Sequence, residues 1–159
     1  MKVEHSIDIE KVKYMKVIII GGGAAGMMAA LSAREQGAEV TILERQARVG
    51  KKLLATGNGR CNLSNTKLTL KNYHGQDARF ADYALSSFDT ETTLEYFENL
   101  GLITVVEPSG KVYPLSDQAG SVVDVLRFAL EAAGVTLPIE TDATPATDFE
   151  IVIGQTNRD

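Results

Sequence analysis

A parallel α/β fold is predicted by three features of this 159-residue chain. Residues 17–20 form a short, continuous β-branched run, the pattern of a strand covered on both faces. Residues 24–36 read as a helix, with Met27, Ala30 and Leu31 at i, i+3, i+4 spacing and Gly37 as the stop. Residues 39–43 give a second strand through Val40, Ile42 and Leu43. A strand, a connection of helical length and another strand imply parallel pairing with a right-handed crossover.

The remaining elements follow from the same periodicities. Residues 46–75 are rich in Gly, Asn, Lys and Arg with no apolar period, which marks a functional loop. Helices are expected over 77–88, with Phe80, Ala84 and Phe88 on one face, and over 90–100, capped by Asp89 or Thr90 and ended by Gly101. Two strands, 102–106 and 111–115, flank the turn Glu107-Pro108-Ser109-Gly110. Residues 121–133 carry the apolar stripe Val122, Val125, Leu126, Ala129, Leu130 and Ala133, and strands are expected at 135–139 and 149–153. Residues 1–14 form a charged leader, and Met15 reads as a natural start.

Composition bounds the function. With 44% hydrophobic and 23% charged residues, the chain has the make-up of one soluble globular domain. A net charge of -5 argues against nucleic acid or an anionic membrane surface as the main partner. A single cysteine, Cys61, excludes an internal disulfide, a four-cysteine zinc site and a two-cysteine redox pair. Two histidines without His-x-x-x-His give no reason to expect a metal. The uncharged stretch 17–33 has the outline of a secretory signal or a membrane span. Its four glycines, however, would each weaken an apolar helix by about 1 kcal/mol, and the run divides cleanly into strand, turn and helix. A cytoplasmic protein is the expectation.

The chemistry is concentrated after the first strand. Gly21-Gly22-Gly23-Ala24-Ala25-Gly26 contains G-x-G-x-x-G between a strand and a helix. Gly21 allows the tight turn, Gly23 lets the backbone approach a pyrophosphate, and Gly26 lets helix and strand pack closely. The free N–H groups at the helix start favour the diphosphate charge. Glu44 ends the second strand, close to the expected distance for an acid that binds ribose hydroxyls, and its charge disfavours a 2′-phosphate. FAD or NAD is therefore favoured over NADP as the bound nucleotide. Directly after it come Arg45, Gly50, Lys51 and Lys52, then Thr56-Gly57-Asn58-Gly59-Arg60-Cys61-Asn62. Glycine and asparagine tolerate positive φ and leave backbone groups free to face a ligand. Lys51, Lys52 and Arg60 are candidates to neutralise phosphates or a reduced flavin.

Residues 18–26 together with 50–65, and later Gly110-Lys111-Val112-Tyr113-Pro114-Leu115-Ser116-Asp117, resemble the bacterial FAD-dependent oxidoreductases related to aminoacetone oxidase and the bile-acid-inducible flavoprotein. The resemblance implies a Rossmann-like, two-dinucleotide-type FAD-binding domain: a parallel sheet with helices. Gly21, Gly23, Ala24, Ala25 and Gly26 would hold the pyrophosphate, Glu44 the adenosine ribose, and the loop 56–62 would lie near the isoalloxazine. It also implies hydride transfer through FAD, with NAD(P)H as a candidate electron donor and a small molecule as substrate. Members of that family are longer, so residues 15–159 are expected to be a truncated domain lacking the substrate domain and the carboxy-terminal FAD segment. Such a domain would leave a sheet edge open for homo-oligomerisation. Two other readings stay open: a non-catalytic nucleotide-binding remnant that works with a partner chain, and a plain NAD-binding Rossmann domain. No side chain stands out as a general acid or base. Cys61 reads as a small buried hydrophobe rather than a redox thiol, His5 and His74 as loop residues, and Tyr83, Phe88, Tyr96 and Phe97 as packing.

Overall fold

The computed structural model describes residues 15–137. Strand β1 (Lys16–Ile20) and strand β2 (Glu39–Leu43) pair in parallel in the register Lys16↔Glu39 to Ile20↔Leu43. Helix α1 (Ala24–Glu35) connects them and buries Met27, Ala30 and Leu31, the predicted face. Gly37, at φ +83°, turns the chain out of the helix into β2. On its other side β2 meets the chain again. Ile42 N–H donates to the Thr136 carbonyl at 2.9 Å and Thr136 N–H to the Val40 carbonyl at 3.0 Å, a parallel bridge. Val40 and Ile42 are accordingly buried.

The first strand differs from expectation. Val17 and Ile19 pack towards α1, but Ile18 is 57% and Ile20 73% exposed, so β1 is covered on one face only among the described residues. Among those residues its hydrogen bonding is one-sided as well. Glu39 N–H donates to the Met15 carbonyl and Gly21 N–H to the Leu43 carbonyl. The parallel ladder therefore turns odd-numbered residues of β1 towards β2 and the backbone groups of Lys16, Ile18 and Ile20 towards the other side, where no strand pairs with them among the described residues.

The stretch read as a loop holds short structured pieces: helix α2 (Lys51–Ala55), a 3-10 turn at Thr56–Gly59, strand β3 (Ser64–Asn65) and a 3-10 turn at Leu70–Asn72. The helix expected over 77–88 forms with a 3-10 first turn, Ala78–Ala81, that runs directly into helix α3 (Asp82–Ser87). The Asp77 carboxylate accepts the Arg79 N–H and caps the first turn locally. The predicted apolar face is not a core face: Phe80 is 74% exposed, and Phe88 is exposed too. Helix α4 (Thr90–Asn99) starts where expected, with Asp89 accepting the Thr92 N–H at 2.8 Å, and Phe97 is its buried anchor.

Strand β4 (Thr104–Val106) and strand β5 (Lys111–Pro114) form the predicted hairpin, with Gly110 at φ +89° in the turn. Strand β3 joins on the far side of β5, giving a small antiparallel sheet in the order β3-β5-β4. Helix α5 (Ala119–Ala132) buries Val122, Val123, Leu126 and Leu130. Together with α1, β2 and Phe97 it forms the main core. Arg34 on α1 closes the α5 end, donating Nε to the Ala133 carbonyl at 2.6 Å and Nη1 to the Ala38 carbonyl at 2.8 Å. The leader and the strand expected at 149–153 lie outside the described residues, as does 138–139 of the strand expected at 135–139.

Candidate nucleotide-binding site

The glycine turn sits at the carboxyl end of β1, where open α/β sheets bind ligands. Gly21 has φ +99°, a conformation that side chains rarely adopt. Gly23 precedes the first turn of α1 in extended conformation, with no side-chain cap on the helix N–H groups. Among the described residues, a methyl built on Gly23 meets no atom within 4 Å, and Gly23, Ala24 and Ala25 are all exposed, so the turn presents bare backbone to solvent. Gly26 is the opposite case. A methyl there would overlap the Gly21 carbonyl oxygen and lie 3.1 Å from its carbon, so this glycine lets helix and turn touch.

Glu44 reaches back to this turn. Its Oε2 accepts the Gly22 N–H and its Oε1 the Gln46 N–H, each at 2.7 Å. The Gln46 and Gly22 N–H groups hold its carboxyl below the usual glutamate range, so it is ionised at neutral pH. Two fixed N–H donors lock the side chain and leave further lone pairs on both oxygens, the acceptor capacity that a ribose diol needs.

Gly22, the variable position of the motif, was not singled out by sequence. In the structure it is the buried one of the consecutive glycines 21–23. Its N–H is held by Glu44, and its carbonyl accepts the Gly50 N–H at 2.8 Å. A methyl on it would lie 2.5 Å from Val49 Cγ1. Gly50 itself has φ +71°, and a methyl there would lie 2.8 Å from Val123 of α5. The glycine turn, the 44–50 segment and α5 are thus built as one unit.

The basic residues divide. Arg45 and Lys52 are exposed, and Lys51 Nζ donates to Gln46 Oε1 at 2.7 Å, at the rim of the turn. Arg60 is committed elsewhere: Nε pairs with Asp117, Nη2 with Glu107 Oε1 at 2.9 Å, and its guanidinium carbon lies 3.9 Å from the Tyr113 ring centre. The two carboxylates raise its pKa further above the ordinary arginine value. Around it Gly57, Asn58, Gly59 and Cys61 are all left-handed, with Cys61 at φ +61°. Thr56 anchors the loop start by donating its hydroxyl to the Leu53 carbonyl, while Asn62 is exposed. Cys61 is buried, and desolvation pushes its thiol pKa up, which suits packing and not nucleophilic chemistry. Among the described residues no group of His, Cys, Asp and Glu has the arrangement of a metal site, and no helix is long and apolar enough to cross a membrane.

Comparison with known proteins matches residues 15–155 to the family described as HI0933-like protein Rossmann domain. The chain belongs to this family. It is 48% identical over 124 residues to the 3-dehydro-bile acid delta(4,6)-reductase of Clostridium scindens, covering 77% of this chain and 30% of that protein. Two ribosomal RNA dihydrouridine synthases are also similar. The Escherichia coli protein is 30% identical, covering 79% of this chain and 31% of its own. The Haemophilus influenzae protein is 25% identical, covering 83% and 33%. The chain thus spans about a third of the length of the relatives it matches. The crystal structure of Thermovibrio ammonificans THI4 superposes with a TM-score of 0.50 at 16% identity, over 81% of this chain and 40% of that one. That likeness bears out the Rossmann-like α/β fold.

Proposed function

We propose that this HI0933-like Rossmann domain is the FAD-binding part of a flavin-dependent oxidoreductase. The observation that carries the proposal is the pairing of a bare glycine turn at Gly23 with the Glu44 carboxylate. That carboxylate is ionised, fixed by two backbone N–H groups, and has lone pairs to spare. Gly21, Gly23, Ala24, Ala25 and Gly26 would cradle the pyrophosphate, and Glu44 would accept the ribose hydroxyls. Arg45, Lys51 and Lys52 would add positive charge at the rim, with Gly50 fixing their segment. Bound there, FAD would supply hydride transfer. The relatives support a reductase: one is named for reducing a 3-dehydro-bile acid, the others for making dihydrouridine, a reduced uridine. NAD(P)H is the reductant this reading expects, and a small molecule with a reducible double bond its substrate. This chain's part is to bind and orient the nucleotide.

The test is the visible spectrum of the purified protein, with released cofactor identified by chromatography after denaturation. A stoichiometric flavin chromophore released as FAD supports the proposal. A colourless protein stabilised by NAD but not by FAD would replace it with a plain NAD-binding domain. Stabilisation by ADP alone would favour a nucleotide-binding remnant.

A further inference from the structure

We infer that Arg60 is a positioning residue. It fastens the loop 56–62 to the β4–β5 hairpin through Glu107, Asp117 and Tyr113, and what the site uses is the loop's shape, not the arginine's charge. Four residues of this loop, Gly57, Asn58, Gly59 and Cys61, are left-handed. The conformation is unfavourable for Asn58 and especially for Cys61, so something must hold it. The loop's own backbone bonds are local: Arg60 N–H to the Gly57 carbonyl at 3.2 Å and Cys61 N–H to the Thr56 carbonyl at 3.0 Å. Thr56 bonds back to Leu53 and Cys61 packs into the core, while Arg60 is the side chain that ties the loop to the hairpin region. Its fork spans Glu107, at the start of the hairpin turn, and Asp117, between β5 and α5, and Asp117 is itself left-handed at φ +59°.

The face of the same guanidinium rests on Tyr113 of β5. Tyr113 also backs Gly57, where a methyl would lie 3.2 Å from its Cε1. One planar cation thereby joins three points of the hairpin region, which an ammonium cannot do. Two carboxylates against one guanidinium leave the cluster net negative, a poor partner for phosphate.

The inference rests on the proposed flavin binding and on the family resemblance that sets this loop near the isoalloxazine; the clamp itself can be read without cofactor. The full chain is compared with Arg60→Gln, Arg60→Lys, the pair Glu107→Gln with Asp117→Asn, and all three neutralising changes together. Hydrogen exchange of the 57–62 amides is measured without nucleotide, and ADP and FAD affinities by calorimetry. A clamp predicts that Arg60→Gln and the carboxylate pair each speed exchange in this loop by about tenfold, that combining them adds little, and that Arg60→Lys does not restore protection. FAD affinity falls in all of them, while ADP affinity stays within about twofold. An anion-ligand role predicts the reverse sign for the carboxylates: removing them tightens ADP and FAD binding, Arg60→Gln weakens both, and exchange is unchanged. That pattern, or unchanged exchange in both the arginine and the carboxylate variants, overturns the inference. Should Arg60→Gln not fold, the carboxylate pair carries the same test. Should the parent bind no FAD, the flavin reading falls while exchange still decides the clamp.

Discussion

Gly23 and Gly26 stand three residues apart in one motif, yet the structure assigns them opposite consequences on substitution. In Gly26→Ala the new methyl collides with the Gly21 carbonyl, backbone against backbone, and Ile19 Cγ2 waits at 3.4 Å. No rotamer change relieves that overlap, so α1 must back away from the turn and loosen Met27, Ala30 and Leu31. Overpacking of this kind costs about 1–3 kcal/mol, and the rigid partner puts it at the upper end. Replacing glycine by alanine inside a helix returns about 1 kcal/mol. The net expectation is a loss of about 2 kcal/mol, or a Tm lowered by roughly 4–8 °C for a domain of this size. In Gly23→Ala the methyl meets open space at φ −78°, so stability should hold within about 1 kcal/mol. The methyl instead fills the approach to the turn, and ADP affinity should fall by tenfold or more, which corresponds to about 1.4 kcal/mol. Thermal and urea unfolding with ADP calorimetry read both quantities. A Gly26→Ala protein as stable as its parent, or a Gly23→Ala protein that binds ADP normally, would refute the division of labour.

Three further outcomes are expected. Glu44 has a lowered folded-state pKa, so its contribution to stability is complete above the ordinary glutamate value of about 4.3 and is lost as pH falls through the folded value. Glu44→Gln should therefore remove part of the loss in stability below about pH 4.3 and weaken ADP binding at pH 7, checked by unfolding across pH and by calorimetry. Cys61 is buried with a raised pKa, so alkylation by iodoacetamide at pH 8 should be at least tenfold slower in the native protein than in urea, read by mass spectrometry. The edge of β1 left unpaired among the described residues should make the chain self-associate with rising concentration, and light scattering that stays monomeric across concentrations would contradict this.

The sequence carried the parallel β1–α1–β2 unit because its signals are local: β-branched runs, an i, i+3, i+4 stripe and glycine punctuation. The positive-φ turn at Gly21, the close packing at Gly26 and the position of Glu44 at the end of β2 were legible for the same reason, being fixed by motif spacing. What failed depended on distant partners. The exposure of Ile18 and Ile20 is set by what lies beside β1, which an apolar run cannot state. The 3-10 first turn at 78–81 is a local exception: Asp77 caps it through a side-chain contact that apolar periodicity does not register. Arg60 looked like a free cation because Glu107 and Asp117 lie 47 and 57 positions away. Gly22 was passed over since the motif leaves its position unspecified; the one hint was a third glycine where two suffice.

The double anchoring of Gly22 has a kinetic consequence. A binding turn that must first be organised imposes a waiting step, and its association rate levels off at high ligand concentration. Here the N–H and carbonyl of Gly22 are tied to Glu44 and Gly50, and Gly50 lies against α5. The turn proposed to receive the diphosphate is thus braced against the core behind it before any ligand arrives. Encounter with a nucleotide then needs no preceding rearrangement, so the observed rate should rise in proportion to concentration. Differences in affinity among nucleotides would be written in how slowly they leave.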